Sequence, residues 1–136
     1  MLNIIILLYA LLGKPNSCQK ELSTCSIQLV SIDCIKQEDD TGNDQVYLTL
    51  NGKEITSKYR TGSRGTISGH IDLKGIEPQP ISEKAMLTLW EYDLLDPDDK
   101  LGSVSVRCSL PGAYSETITY RNPFGSADYV LHYVVY

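Results

Sequence analysis

From residue 26 onward, apolar and polar residues alternate with a period of two, and turn-forming residues interrupt the alternation every eight to twelve positions. Ile27, Leu29 and Ile35 alternate with polar residues in the first stretch, and the second stretch ends at an Asn51-Gly52 turn signal. No stretch in this region has the 3.6-residue period of an amphipathic helix. The pattern therefore predicts an all-β fold, an antiparallel β-sandwich of about eight strands whose loops gather at its two ends.

The chain has the length and composition of one domain. Its 136 residues, with 42% hydrophobic and 21% charged side chains, are typical of a single compact unit with one core. No internal repeat divides the strand region, so we predict one domain over residues 26–136, preceded by a short linker over residues 18–25. The segment Gly75 to Pro80 is predicted to be a break between strands.

The amino terminus carries an apolar run of 11 residues, Leu2 to Leu12, interrupted only by Asn3. A bilayer span needs about 20 apolar residues, so this run is too short to cross a membrane but fits the apolar centre of a secretory signal. Residues 1–17 are therefore predicted to be a signal-like segment of an exported protein. Lys14 and Pro15 stand where a cleavable signal prefers small residues, so an uncleaved segment that packs on the domain remains the alternative.

The string from Asn16 to Glu21 resembles the start of a mature bacterial lipoprotein of the Bacteroidetes type, in which the acylated Cys often follows a Ser. Cys18 would then be the lipidated first residue of a cell-envelope lipoprotein. The four Cys contain no C-x-x-C pair, which argues against a structural zinc site. With Cys18 acylated, at most one disulfide can form and its partners stay open; Cys34 and Cys108, in strand-like stretches, also fit small buried hydrophobic residues.

Acidic residues are concentrated in two segments that contain no Lys or Arg, residues 38–44 and 91–99. The formal net charge is −5, and these segments hold nine of the 17 acids, so the remainder of the chain is mildly basic. The nine acids are Glu38, Asp39, Asp40, Asp44, Glu91, Asp93, Asp96, Asp98 and Asp99. An acidic balance argues against nucleic acid as the main partner, because phosphate binding needs an excess of bases.

Carboxylates brought together at one end of a sandwich repel one another unless a cation lies between them. Ligands that are all oxygen, without Cys or His, favour a hard cation, and Ca²⁺ accepts six to eight oxygens in flexible geometry. Glu91 and Asp93 are two residues apart and so project to one side of an extended segment. The two segments therefore predict a calcium site, with well-solvated loops that bind nothing as the alternative.

The segment Leu89 to Gly102 resembles the third calcium-binding loop of C2 domains. The pattern of that loop is an acid, one residue, a second acid, five residues, a third acid, then a hydrophobe and Gly, and Glu91, Asp93 and Asp99 occupy its three acidic positions. The segment Asp40 to Tyr47 is similar to the first such loop, with Asp40 and Asp44 as its acids. This sequence departs from the family pattern in two places, because Glu91 stands where Asp is usual and Gln45 replaces the usual Pro.

The resemblance implies a C2-like sandwich that binds Ca²⁺ at its loop tips and docks on a phospholipid surface or a protein partner. The implied metal ligands are Asp40, Asp44, Glu91, Asp93 and Asp99, with Glu38, Asp39 and Asp98 as less certain ones. Leu94 and Leu95 lie between ligands at the loop apex, where neutralisation by calcium would let them insert into a membrane interface. The alternative is that one of the two leucines packs inward to close the loop.

No catalytic motif is present, neither a nucleophile elbow nor a Gly-rich phosphate loop, and His70 and His132 have no motif around them. The sequence therefore predicts a calcium-binding module and not an enzyme. The alternative function is a structural or interaction sandwich whose loops are calcium-stabilised or metal-free and have no membrane role. The number of calcium ions and the oligomeric state do not follow from the sequence.

Overall fold

The structure is a computed structural model, and it describes residues 21–37, 44–61 and 69–136. The described residues form ten strands and no helix. In chain order the strands are β1 (Thr24–Lys36), β2 (Gln45–Leu50), β3 (Lys53–Glu54), β4 (Tyr59–Arg60), β5 (Gly69–Asp72), β6 (Gln79–Ser82), β7 (Lys84–Glu91), β8 (Asp99–Arg107), β9 (Gly112–Arg121) and β10 (Ser126–Val135). Accordingly, no helix in the described ranges could cross a membrane.

The strands form two antiparallel sheets. One sheet has the order β5-β1-β10-β9, with β6 also beside β1, and the other has the order β3-β2-β7-β8, with β4 also beside β2. In β10, alternate side chains enter the core between the sheets; they are Ala127, Tyr129, Leu131, Tyr133 and Val135. The predicted all-β antiparallel sandwich is confirmed, and the ten strands include three short ones that the sequence pattern did not indicate, β3 and β4 with two residues each and β6 with four.

A β-bulge in β1 changes which side chains face the core. Between Leu29 and Ser31, β1 carries one more residue than its partner β10. Leu29 is buried before the bulge, whereas beyond it Cys34 is buried and Ile35 is 54% exposed. The prediction that Ile35 shares a face with Leu29 is wrong, because one extra residue reverses a period-two pattern.

A disulfide joins the two sheets. Cys25 of β1 and Cys108, which follows β8, are bonded, with their Cα atoms 5.4 Å apart. Cys34 is buried and free, as its strand position predicted. The interpretation of Cys108 as a free buried residue is wrong, since apolar patterning alone does not distinguish a bonded Cys from a free one.

The segment Gly75 to Pro80, predicted to be a break between strands, overlaps the start of a strand. Gln79 and Pro80 begin β6, which pairs with Ser26 and Ile27 near the start of β1. Pro lacks a backbone N–H, so it is tolerated in a short strand at the margin of a sheet. The Gly and Pro residues of this segment therefore predicted the turn correctly. They did not predict the short strand that begins at Gln79.

Candidate functional site

Four connections lie at one end of the sandwich, which we call the loop end: β1 to β2, β4 to β5, β7 to β8 and β9 to β10. The strand register shows this arrangement. In one sheet Glu91, at the end of β7, pairs with Val46 near the start of β2 and with Asp99 at the start of β8. In the other sheet Arg121, at the end of β9, pairs with Ser126 at the start of β10. The β7–β8 loop comprises residues 92–98 and the β9–β10 loop residues 122–125. Residues 38–43 and 62–68 of the other two connections lie outside the described residues.

At the loop end, Asp44, the described end of the first acidic segment, lies near the second acidic segment. The backbone N–H of Tyr92 donates a hydrogen bond of 2.7 Å to the carbonyl of Gln45, the residue that follows Asp44. Glu91 and Asp99 are the last Cα partners of the β7–β8 pair. The sequence neighbours of Asp44 therefore lie directly beside the β7–β8 loop.

Within the β7–β8 loop, Asp98 already makes two hydrogen bonds. The Tyr47 hydroxyl donates to its Oδ2 at 2.6 Å, and the backbone N–H of Asp93 donates to its Oδ1 at 3.1 Å. Burial raises the pKa of Tyr47, and the bond to Asp98 raises it further. Asp98, one of the less certain ligands, thus stabilises the loop from within.

Asp99 connects the two sheets at the loop end. The Tyr120 hydroxyl, from β9, donates to Asp99 Oδ2 at 3.3 Å, and the Asn122 amide donates to the Tyr120 hydroxyl at 2.5 Å. A chain of hydrogen bonds therefore runs from a predicted metal ligand in one sheet to the β9–β10 loop of the other.

Asp44 is buried, with 4% of its surface exposed. Its backbone carbonyl accepts hydrogen bonds from the N–H and the hydroxyl of Thr61, at 3.0 and 3.3 Å. Burial raises the pKa of the Cys34 thiol and of the Tyr129 hydroxyl, and the charge of Asp44 contributes to both shifts. Asp44 is therefore a buried residue whose backbone is held by Thr61 at the start of β2.

The predicted ligands that lie among the described residues do not form a metal site. Within residues 21–37, 44–61 and 69–136, no three His, Cys, Asp or Glu side chains are arranged to hold a metal ion. Asp93 is exposed, and Glu91 and Asp99 are half-buried. The other predicted ligands, Glu38, Asp39 and Asp40, lie outside the described residues, as does Cys18. The oxygen donors suit a hard cation in type, but the described ones do not form a complete site.

Three large apolar side chains project from the loop end. Leu94 is 81% exposed and Leu95 93% exposed, so neither leucine packs inward to close the loop. Phe124, in the β9–β10 loop, is 96% exposed. The alternative in which one leucine is buried in the loop is therefore wrong, and a contact with a membrane interface stays a prediction.

Comparison with known proteins gives structural neighbours only. No protein-family model and no curated protein matches the chain. The fold is similar to the structure of a C2 domain (TM-score 0.48, 14% identity, covering 82% of this chain and 97% of the other). It is also similar to a C2 domain of plant extended synaptotagmin 1 (TM-score 0.43, 12% identity, covering 79% and 91%). Human GIVD cytosolic phospholipase A2 is a third neighbour (TM-score 0.45, 19% identity, covering 85% of this chain and 16% of that one). The neighbours thus include C2 domains, at modest TM-scores and low identity.

The sequence predictions did not select Tyr120, Asn122 or Phe124, which support or extend the loop end. The sequence feature that could have drawn attention to them is the Asn122-Pro123 pair, which predicts a turn directly after the strand that contains Tyr120. Aromatic residues are typical of strands in general, and the contact between Tyr120 and Asp99 depends on how the two sheets face each other.

Both histidines of the chain lie in one cluster on the outer face of the β5-β1-β10-β9 sheet. Asp33 Oδ1 is bonded to His70 Nδ1 at 2.5 Å, and Asp33 Oδ2 to His132 Nε2 at 2.8 Å. His132 Nδ1 in turn is 2.8 Å from the Ser115 hydroxyl. The hydrogen bond from His70 lowers the pKa of Asp33, and His132 adds to the effect against the opposing cost of burial.

Proposed function

We propose that this protein is a calcium-dependent docking module, whose loop end binds Ca²⁺ through the two acidic segments and then contacts a phospholipid surface or a protein partner. The proposal assigns it a binding role and no catalytic one. The observation that carries it is that Asp44, the described end of the first acidic segment, directly precedes the strand that contacts the acidic β7–β8 loop, from which Leu94 and Leu95 project.

The charge of the loop end supports a cation requirement. Asp93, Glu91 and Asp99 lie in or beside one loop, with Asp44 next to the neighbouring strand, and like charges at short range oppose one another. In this proposal Asp40, with Glu38 or Asp39, completes the ligand set. Bound Ca²⁺ supplies positive charge that offsets these carboxylates.

The exposed leucines support a docking role. Complete burial of a Leu side chain contributes about 1.5 to 3 kcal/mol, so two exposed leucines provide a useful apolar contact once the surrounding charge is neutralised. The hydrogen bonds that Asp98 accepts from Tyr47 and from the Asp93 backbone hold the loop that carries them. The leucines therefore extend from a loop with a defined conformation.

Calorimetric titration with Ca²⁺, followed by thermal unfolding with Ca²⁺ and with chelator, tests the metal. We expect Ca²⁺ to raise the melting temperature and Asp93→Asn to abolish that rise. Asp96→Asn, at an exposed position in the same loop, is the matched control and should retain it. A melting temperature of the unsubstituted protein that does not change with Ca²⁺ would overturn the calcium proposal.

Sedimentation with vesicles of phosphatidylcholine and phosphatidylserine tests the docking step. We expect calcium-dependent binding that the double variant Leu94→Ser and Leu95→Ser loses while keeping its calcium-induced rise in melting temperature. A calcium-induced rise without vesicle binding would instead support the second candidate, a structural sandwich stiffened by calcium. One observation favours that candidate: both carboxylate oxygens of Asp98 accept hydrogen bonds from the protein itself, which is a structural role in the loop.

We further propose that the protein is exported and that Cys18 is lipidated. The Cys25–Cys108 disulfide supports export, because structural disulfides persist in oxidising compartments and are rare in the cytosol. The mass of the protein isolated from its natural membrane fraction tests lipidation. A mature mass that begins at an acylated Cys18 is the expected result, and an unmodified chain that retains residues 1–17 would contradict both proposals.

A further inference from the structure

A charged side chain lies on the core-facing side of β9, which is an outer strand of the described sheet. Buried and half-buried positions of β9 alternate with exposed ones, and the inward positions are Tyr114, Glu116, Ile118 and Tyr120. Glu116 pairs with Leu131, which is fully buried. Gly102 of β8 packs against Ile118, so this side of β9 faces the other sheet. Glu116 therefore lies between the two sheets at their β8–β9 margin.

A cleft of 160 Å³ opens between β8 and β9 beside Glu116. Its buried lining is apolar and consists of Val106 of β8 with Tyr133 and Val135 of β10, each 2% exposed. Burial raises the pKa of Tyr133 to about 12, and the negative charge of Glu116 contributes to that shift. The carboxylate therefore acts on the buried lining of the cleft.

An ordered aromatic side chain forms another part of the cleft. The Tyr114 ring stacks on the Tyr133 ring, with the ring centres 5.2 Å apart, and the Tyr114 hydroxyl donates a hydrogen bond of 2.6 Å to the Leu110 carbonyl. Tyr114 and Leu110 both line the cleft. Two contacts therefore hold the Tyr114 ring in place near Glu116.

The Glu116 carboxylate has no hydrogen bond and no ion pair within the described ranges of the chain. Arg107 also lines the cleft, but it is exposed and alternates with the buried Val106, so it belongs to the outer side of β8. A half-buried carboxylate without a protein partner favours a cationic ligand, because an unpaired charge removed from water costs free energy.

The size and the lining of the cleft define the class of cation. A metal ion needs several oxygen ligands, and Glu116 is the one carboxylate in the described lining. An apolar cavity of about 150 Å³ holds benzene, a molecule of about six carbon atoms, and an alkylammonium ion of about five carbons has the same number of non-hydrogen atoms. Its ammonium group would meet Glu116 and the Tyr114 ring, and its hydrocarbon would contact the apolar lining.

We propose that Glu116, Tyr114 and the apolar lining of the β8–β9 cleft form a binding site for a primary alkylammonium group, carried by a free amine or by a lysine side chain. The site uses none of the acidic loop residues, so it goes beyond the calcium-dependent docking proposed above.

Nuclear magnetic resonance titration of the isotope-labelled protein with n-pentylamine, at neutral pH and with chelator present, tests the site. We expect the backbone amide signals of Val106, Glu116 and Tyr133 to shift with a Kd of about 1 mM, and the uncharged n-pentanol to bind about tenfold more weakly. Absence of these shifts, or equal binding of the alcohol, would overturn the proposal. Shifts confined to Asp93 and Asp99 would do the same, because they would place the amine in the acidic loop.

A charge-removing variant tests the role of the carboxylate. Glu116→Gln keeps the size of the side chain and should weaken the binding of n-pentylamine about tenfold. Glu77→Gln, at an exposed position between β5 and β6, is the matched control and should bind unchanged. Equal affinity of the two variants would show that Glu116 does not bind the amine.

Titration with Nα-acetyl-lysine methylamide distinguishes the two sources of the ammonium group. Tighter binding than that of n-pentylamine would assign the site to a lysine side chain, and weaker binding would assign it to a free amine; either result supports the site. Since calcium is absent from these titrations, their failure would leave the proposed docking function standing.

Discussion

The Tyr47 hydroxyl donates a hydrogen bond of 2.6 Å to Asp98 Oδ2 and so joins β2 to the β7–β8 loop. Tyr47 is 8% exposed, its ring stacks on Trp90 at 6.5 Å, and Lys58 Nζ lies 5.1 Å from the ring centre. The bond is therefore formed by a side chain that packing already holds in place.

We predict that Tyr47→Phe destabilises the protein by about 1 to 2 kcal/mol, because the ring packing remains while a bond to a charged acceptor is lost. Urea unfolding measures the change. Tyr92→Phe is the control, since it alters the other ring beneath Lys58, 4.8 Å away, and leaves the Tyr47–Asp98 bond intact. Equal stability of the two variants would contradict the assigned role of this bond.

The disulfide yields a second prediction. Replacing both Cys25 and Cys108 with Ala should lower the free energy of unfolding by about 2 to 5 kcal/mol, because the bridge restricts the unfolded chain over a separation of 83 residues. A reducing agent should lower the melting temperature of the unsubstituted protein in the same sense. Cys34→Ala should retain this sensitivity to reduction, and its loss in that variant would mean that Cys34 takes part in the bond.

Close packing between the sheets yields a third prediction, at Gly102 in β8. A Cβ atom added there would lie 2.7 Å from Cγ2 of Ile118, a residue that is 3% exposed. We expect Gly102→Ala to destabilise the protein by about 1 to 3 kcal/mol. Gly75→Ala, where no atom lies within 4 Å of the added group, is the matched control.

A double-mutant cycle with Ile118→Ala separates this clash from other causes. Ile118→Ala alone should cost about 2 to 5 kcal/mol through the cavity it leaves. In its background the Gly102→Ala cost should disappear, because the methyl group that blocked the new Cβ is gone. Strict additivity of the two changes would show that the strain lies elsewhere.

The Asp33 cluster predicts a pH dependence. The pKa of Asp33 is below its ordinary value of 3.8 in the folded protein, so folding favours the carboxylate form over the protonated one. The resulting stabilisation is fully present above the unfolded pKa and is lost as the pH falls through the folded pKa. In unfolding curves recorded from neutral pH into acid, Asp33→Asn should lose less stability than the unsubstituted protein. Asp96→Asn should follow the unsubstituted curve.

The sandwich was predictable from the sequence because a half-buried strand must alternate, and β10 does so at every position from Ala127 to Val135. The side of the sheet to which Ile35 belongs was not predictable. It depends on the bulge before Ser31, which arises from pairing with β10 and cannot be recognised in the sequence pattern of β1. The same holds for the disulfide, because the closeness of Cys25 and Cys108 arises only when the sheets are stacked.

At the loop end, the β7–β8 loop was predictable because the acidic segment 91–99 falls between two strand-like stretches, and the structure has the loop at residues 92–98. The supporting contacts of Tyr47 and Tyr120 were not predictable, because both are cross-strand or cross-sheet bonds between residues at least 21 positions apart. The exposure of Phe124 was also missed, since a single Phe between Pro and Gly gives no periodic signal.

The bridge between Cys25 and Cys108 joins the sheets at the end opposite the four connections of the loop end. Substitutions or insertions in those connections therefore act on strands that are covalently held together elsewhere. We therefore expect the two sheets to stay joined in variants whose β7–β8 or β9–β10 loop is replaced by a sequence of another length.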